Sequence, residues 1–140
     1  MNYFESEYFK KESFTPEMIR RYAESAQRDL QIAQKDKFLE VRFSYAYQAL
    51  LKTGMAIIAF KGGVRIRSIP GHHVKILTHL SRLLDDQDVL ATGNAMRMKR
   101  NKDLYNGGEY MAEKEVEDYV KFVGSVVHRV QKLMGAKEPR

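Results

Sequence analysis

Apolar side chains recur along this chain at three- and four-residue intervals, the spacing that gathers them into one stripe of an α-helix. The first run opens at Thr15-Pro16-Glu17-Met18, with a hydroxyl cap, a proline where no helical donor is needed, and an acid in the first turn. Met18, Tyr22, Leu30 and Ala33 then follow at roughly helical intervals, with arginine and glutamate between them. A second helix is predicted from about Lys37 to Lys61. Its apolar or small face is Phe38, Val41, Tyr45, Ala49, Thr53, Ala56 and Phe60, and Gly62-Gly63 stop it. From Val64 to Ile69 the pattern alternates, apolar then basic, which suits a short extended piece, but Pro70-Gly71 favour a loop. A third helix carries Val74, Leu77, Leu80 and Leu84. Asp85 or Asp86 caps a fourth that runs from Val89 toward Tyr105, and Gly107-Gly108 break the chain. The last helix turns Val116, Val120, Val123, Val127 and Val130 inward.

Four or five amphipathic helices with short connections predict an all-α fold, an up-and-down four/five-helix bundle. At 140 residues the chain is expected to be one domain. The bundle is placed at residues 15–135, after an N-terminal extension over 1–14 and before a C-terminal tail over 136–140. No repeat or interdomain linker is visible. Tyr3, Phe4, Tyr8 and Phe9 in the extension are expected to pack on a neighbouring helix or subunit. Tyr22, Phe38, Tyr45, Phe60 and Tyr119 fall at core spacing, whereas Tyr105 and Tyr110 flank the glycine turn and are candidates for stacking on RNA.

Composition narrows the chemistry. The chain has no cysteine, so a disulfide, a zinc-thiolate site and a thiol nucleophile are excluded. Its first residues lack the basic-then-apolar layout of a secretory signal, and no apolar run approaches the ~18 residues of a membrane span. The expected location is the cytoplasm, with no membrane association. A net charge of +6 and a pI near 9.5 favour polyanionic partners, through phosphate neutralisation and counterion release.

The positive charge is densest at the end of the fourth helix, in Arg97, Lys99, Arg100 and Lys102. Cations there also complement the helix dipole, so a purely structural role is open to them. Within this segment Arg100 can grip phosphate with its planar fork, Asn101 can orient it or a ribose, and Tyr105 adds a ring and a hydroxyl. Arg100 and Tyr105 lie five residues apart, roughly 140° around a helix, so they share a site only if the helix ends between them or a second subunit supplies one. His72, His73 and His79 cluster at the start of the third helix, where His73 and His79 are expected to be partly buried or capping. No metal site is expected, because Asp85, Asp86 and Asp88 suit a helix start and no second ligand set accompanies the histidines. Neither a P-loop nor a dinucleotide-binding loop is present, and no cofactor is expected.

Two stretches carry a family resemblance. One is Arg65-Ile66-Arg67-Ser68-Ile69-Pro70-Gly71-His72-His73, and the other is Lys99-Arg100-Asn101-Lys102-Asp103-Leu104-Tyr105-Asn106-Gly107-Gly108. With the order of helices over about residues 15–134, they resemble a bacterial HEPN domain (higher eukaryotes and prokaryotes nucleotide-binding). That family's signature is an arginine, a polar residue, a short spacer and a histidine at the end of a bundle helix. The resemblance implies a homodimer whose arginines and histidines surround a scissile RNA phosphate without metal. Carried over, Arg100 binds phosphate and Asn101 orients it, but the position of the histidine is Tyr105. An ordinary tyrosine, ionising near pH ~10, is a poor general base at neutrality. The expected function is therefore an RNA- or nucleotide-binding module with catalysis lost or altered. Arg97, Lys99, Lys102, Arg65, Arg67, His72, His73 and Tyr110 would add RNA contacts to Arg100, Asn101 and Tyr105. The alternatives are a metal-independent endoribonuclease of toxin or defence type using Arg100, and a non-catalytic subunit with a protein partner, as in a toxin–antitoxin pair.

Overall fold

The computed structural model describes residue 4, residues 6–105 and residues 111–135, with side chains described outside 103–105. Among these residues the chain runs β1 (Phe9–Lys11), α1 (Pro16–Lys35), α2 (Leu39–Gly62), β2 (Val64–Ile66), α3 (His72–Leu84), α4 (Gln87–Tyr105) and α5 (Glu113–Leu133). The expected helical bundle is present. The glycine turn at 107–108 and the tail at 136–140 lie outside the described residues.

Local signals set the helix ends. Thr15 Oγ1 accepts from the Met18 amide at 3.1 Å, so the hydroxyl cap and the proline start α1 together. At the end of α2, Gly63 adopts the left-handed conformation (φ 62°) and sends its amide back to Ala59 O. Asp85 is also left-handed (φ 53°) and closes α3, leaving Asp86 to accept from the Asp88 amide at 3.0 Å at the start of α4. Asp86 also binds Arg129 of α5 at 3.0 Å. The three aspartates are thus helix-end groups, and no cluster of three metal-ligating side chains occurs among the described residues.

The middle of the molecule is α2, whose buried positions include Phe43, Ala46, Tyr47, Ala49, Leu50, Ala56, Ile57 and Ile58. These residues go all round the helix rather than along one stripe, because α1, α3, α5 and β2 each cover part of it. The predicted α2 face was correspondingly misplaced at both ends. Phe38 is 56% and Phe60 43% exposed, since each sits at a terminus beyond the reach of the covering helices. On α5 the predicted stripe is the observed one: Val116, Val120, Val123, Val127 and Val130 are all buried.

Contacts give the helix directions. Arg42 Nε donates to Ala33 O at 2.8 Å, and further along α2 Lys52 Nζ reaches Asp29 Oδ2 and Ser25 Oγ, each at 2.8 Å, so α1 and α2 are antiparallel. The Lys52–Asp29 approach is ionic, falling outside hydrogen-bond angles at the buried Oδ2. Between α2 and α3 the contacts advance in the same sense, Tyr47 with His73 and Gly54 with Ile76 and Leu80. Strict up-and-down alternation is therefore broken here, because residues 63–71 carry the chain back along α2 before α3 begins. Part of that return is β2, where a loop was expected. It pairs antiparallel with β1, Phe9 opposite Ile66 and Lys11 opposite Val64. The alternating Val64-Arg65-Ile66 pattern needed a partner strand to become a ladder, and the N-terminal extension supplies it. Of the extension's aromatic residues, Phe9 is buried and Phe4 lies 5.2 Å from it, centroid to centroid, both against His79 of α3, while Tyr3 lies outside the described residues.

Two glycines let the helices meet. A Cβ on Gly54 would lie 2.5 Å from Ile76 Cγ2, and one on Gly93 would lie 2.8 Å from Leu77 Cδ2. Gly54→Ala should gain about 1 kcal/mol of helix propensity and lose about 1–3 kcal/mol to overpacking against a branched, buried side chain. The net expectation is destabilisation, seen as a lower urea midpoint with an unchanged m-value. A midpoint that rises would show that α3 can move away freely.

Candidate functional site

The inward stripes of three helices end at one place. On α4, Val89, Gly93 and Met96 are buried, and the next position on that stripe is Arg100. On α3 the stripe Leu80, Leu77 and Ile76 runs back to His73, and on α2 the stripe Gly54 and Leu50 runs back to Tyr47. Each helix thus replaces its next aliphatic residue with a polar or charged one, and the three meet. Tyr47 is 1% exposed, with its hydroxyl 3.1 Å from His73 Nδ1. The Arg100 guanidinium lies over the Tyr47 ring, 5.7 Å from its centroid, while Arg100 itself is exposed. His72 and His73 are neighbours with ring centroids 4.4 Å apart. Arg97, half-buried one turn before Arg100, is steadied by a 2.9 Å bond from its Nε to Asn94 Oδ1.

Electrostatics follow from this packing. His73 is pushed from 6.5 down to about 4, first by burial and then by His72, Arg100 and Arg97. Tyr47 is pushed up to about 12 by burial, against the pull of Arg100 and Arg97. Both are neutral at pH 7. Phenol is the better donor and imidazole nitrogen the better acceptor, so Tyr47 donates to His73 Nδ1 and the ring proton sits on His73 Nε2. His72 has the opposite arrangement, its Nδ1–H donating to Ile69 O at 2.8 Å. Among the described residues no carboxylate lies within ion-pair distance of Arg97 or Arg100. The meeting point therefore gathers two arginines and a neutral N–H donor, an arrangement suited to an anion.

Other residues singled out in the sequence fall elsewhere. Lys99 turns toward α5 and pairs with Glu115 at 3.1 Å. Asn101 is half-buried and Lys102 exposed, both at the same end of α4 as Arg100. Arg65 is on β2, held by Glu12 through two 2.7 Å bonds, and Arg67 Nε donates to Ser6 O at 3.1 Å. His79 is buried, 4.9 Å from the Phe4 ring and 4.9 Å from that of Phe9. His128 is exposed on α5. The side chain of Tyr105, and Tyr110 altogether, lie outside the described residues. The α4 backbone is helical through Tyr105, so positions 100 and 105 lie roughly 140° apart around one helix. Tyr47 was missed by sequence reading, although its place three residues before Leu50 on a buried helix marked a polar-tipped ring facing inward.

No family model matches this chain, and no curated protein or solved structure matches it. Among the described residues no helix is long and apolar enough to cross a membrane.

A histidine held neutral in the fold disfavours folding once it must be protonated. Stability from His73 should be full above about pH 6.5 and be lost as pH falls toward 4. Exposure of the ring reduces the size of the effect but not its sign. His73→Gln keeps an acceptor for Tyr47 and removes the titration. The stability advantage of the native chain over this variant should shrink between pH 6.5 and 4 in thermal melts. A constant difference would contradict the placement.

Proposed function

We propose that this chain is a HEPN-like helical module that binds RNA or a nucleotide by its phosphate at the meeting point of Arg97, Arg100, His72 and His73. The observation that carries this reading is the convergence of two arginines, without carboxylate partners among the described residues, on a neutral pair of a buried tyrosine and a half-buried histidine. Guanidinium groups bind phosphate through paired, charge-assisted bonds. His73 Nε2–H adds a third donor, and Asn101 and Lys102 extend the contact surface along α4. The overall charge of +6 adds long-range attraction for a polyanion.

Catalysis is lost or altered in this reading. The general base of a ribose 2′-hydroxyl must offer an open lone pair. His73 gives its lone pair to Tyr47, and position 105 carries tyrosine. Homodimerisation belongs to the same proposal, because Arg100 and Tyr105 on one continuous helix could flank a single phosphate only across two chains. One observation favours a metal-independent endoribonuclease instead: with Nδ1–H bound to Ile69 O, a neutral His72 carries its lone pair on Nε2.

Fluorescence anisotropy with a short single-stranded RNA tests the binding. Arg100→Ala should weaken it about tenfold, the scale of one charge-assisted hydrogen bond. The slope of log affinity against log salt should also become shallower by about 0.7. Equal affinity for native chain and variant at low salt would reject the site. Incubating the RNA with protein in EDTA separates the two readings: intact RNA is expected, and 2′,3′-cyclic phosphate ends that depend on His72 would establish the nuclease.

A further inference from the structure

Away from the arginine site, α1, α2 and β2 leave a second opening. It is a cleft of about 400 Å³ between Met18, Tyr22, Ser25 and Met55, with Arg21, Lys52 and Arg65 also in its walls. Tyr22, Met55 and Arg65 also line a smaller cavity of about 130 Å³, together with Phe14, Ile58 and His72. Taken as one channel, the two adjoining openings have thioether and ring walls, the kind of surface that adapts to a planar or branched apolar body.

Its charged groups are all cationic. Arg21, Lys52 and Arg65 carry donors only, Tyr22 and Ser25 add hydroxyls, and among the described residues no carboxylate lines the cleft. The acids that pair with the three cations, Glu17, Asp29 and Glu12, are not among the residues that line it. Donor capacity remains after these pairings. Arg65 uses Nε and Nη2 on Glu12, leaving Nη1, and Lys52 gives one hydrogen to Ser25 while its approach to Asp29 is ionic. The Arg21–Glu17 pair is exposed on both sides and yields easily.

We infer that this channel is a binding site for a small amphipathic organic anion, its apolar body between Tyr22, Met18 and Met55 and its carboxylate, sulfonate or phosphate head on Arg65, Lys52 and Arg21. A cation would be repelled by three positive side chains, and an inorganic anion would leave the apolar walls unused. The site shares no arginine with the proposed phosphate site and meets it only at His72.

The test uses the full chain with ¹³C-labelled methionine methyls and 1-anilinonaphthalene-8-sulfonate as the probe. Saturable one-to-one shifts are expected at Met18 and Met55, with Met98 on α4 unmoved. Met18→Glu, at a half-buried cleft edge, should weaken the probe at least tenfold by placing an acid against its head. Met55→Trp should do the same by filling the channel, and a native far-UV circular dichroism spectrum with a cooperative thermal melt would confirm that this variant is folded. Octanoate should displace the probe and inorganic sulfate should not. Absence of saturable shifts at Met18 and Met55, undiminished binding in Met18→Glu, or displacement by sulfate as readily as by octanoate would each overturn the inference.

Discussion

Burial of α2 on nearly all sides is the constraint from which the rest of the structure follows. A helix surrounded by neighbours has no polar face to spare, so its sequence must be apolar or small over most of its circumference. Ala46, Ala49, Ala56 and Ala59 meet that need, and Gly54 allows α3 to approach until Ile76 fills the space a side chain would take. Gly93 does the same for Leu77 between α3 and α4. Close approach of these backbones fixes α3 and α4 against α2, and with them the residues at their ends.

The candidate site arises where this packing stops being apolar. Tyr47, His73 and Arg100 occupy positions that aliphatic residues would fill in a purely structural bundle, and they satisfy one another in layers. The hydroxyl is bonded to the imidazole, and the guanidinium covers the ring whose other end is buried. A structural account of Arg100 alone is available in the helix dipole. It does not explain why Arg97 also has no carboxylate partner among the described residues, or why a histidine is kept neutral beside them. A bound anion would resolve both features, because its charge offsets the two guanidiniums and supplies an acceptor for His73 Nε2–H.

Local signals were legible in the sequence, and tertiary ones were not. The Thr15-Pro16 start of α1, the glycine stop of α2 and the valine stripe of α5 depend on neighbours three or four residues away, and each was read correctly. β2 depends on a strand more than fifty residues earlier, so its alternation looked like a loop before a proline. Phe38 and Phe60 were at helical spacing with real core residues but lie at the ends of α2, where nothing covers them. Arg100, Arg97, His72 and His73 were each recognised by residue type. Their meeting was not, because it depends on the tertiary packing of α3 and α4 on each other and on α2. Tyr47 escaped notice for the opposite reason: it is one ring among many on a helix whose every face is buried.

The central claim, that an RNA phosphate sits at the meeting of α2, α3 and α4, is tested most directly at the imidazole of His73. Two-dimensional NMR of the histidine side chains, followed while a short single-stranded RNA is added at pH 7, reads that ring in the folded protein. The account predicts a saturable change at His73 and His72, a rise in the pH at which His73 titrates as the anion offsets the two arginines, and little change at the exposed His128. RNA that binds while His72 and His73 stay where they were would place the polyanion on another surface and contradict the account.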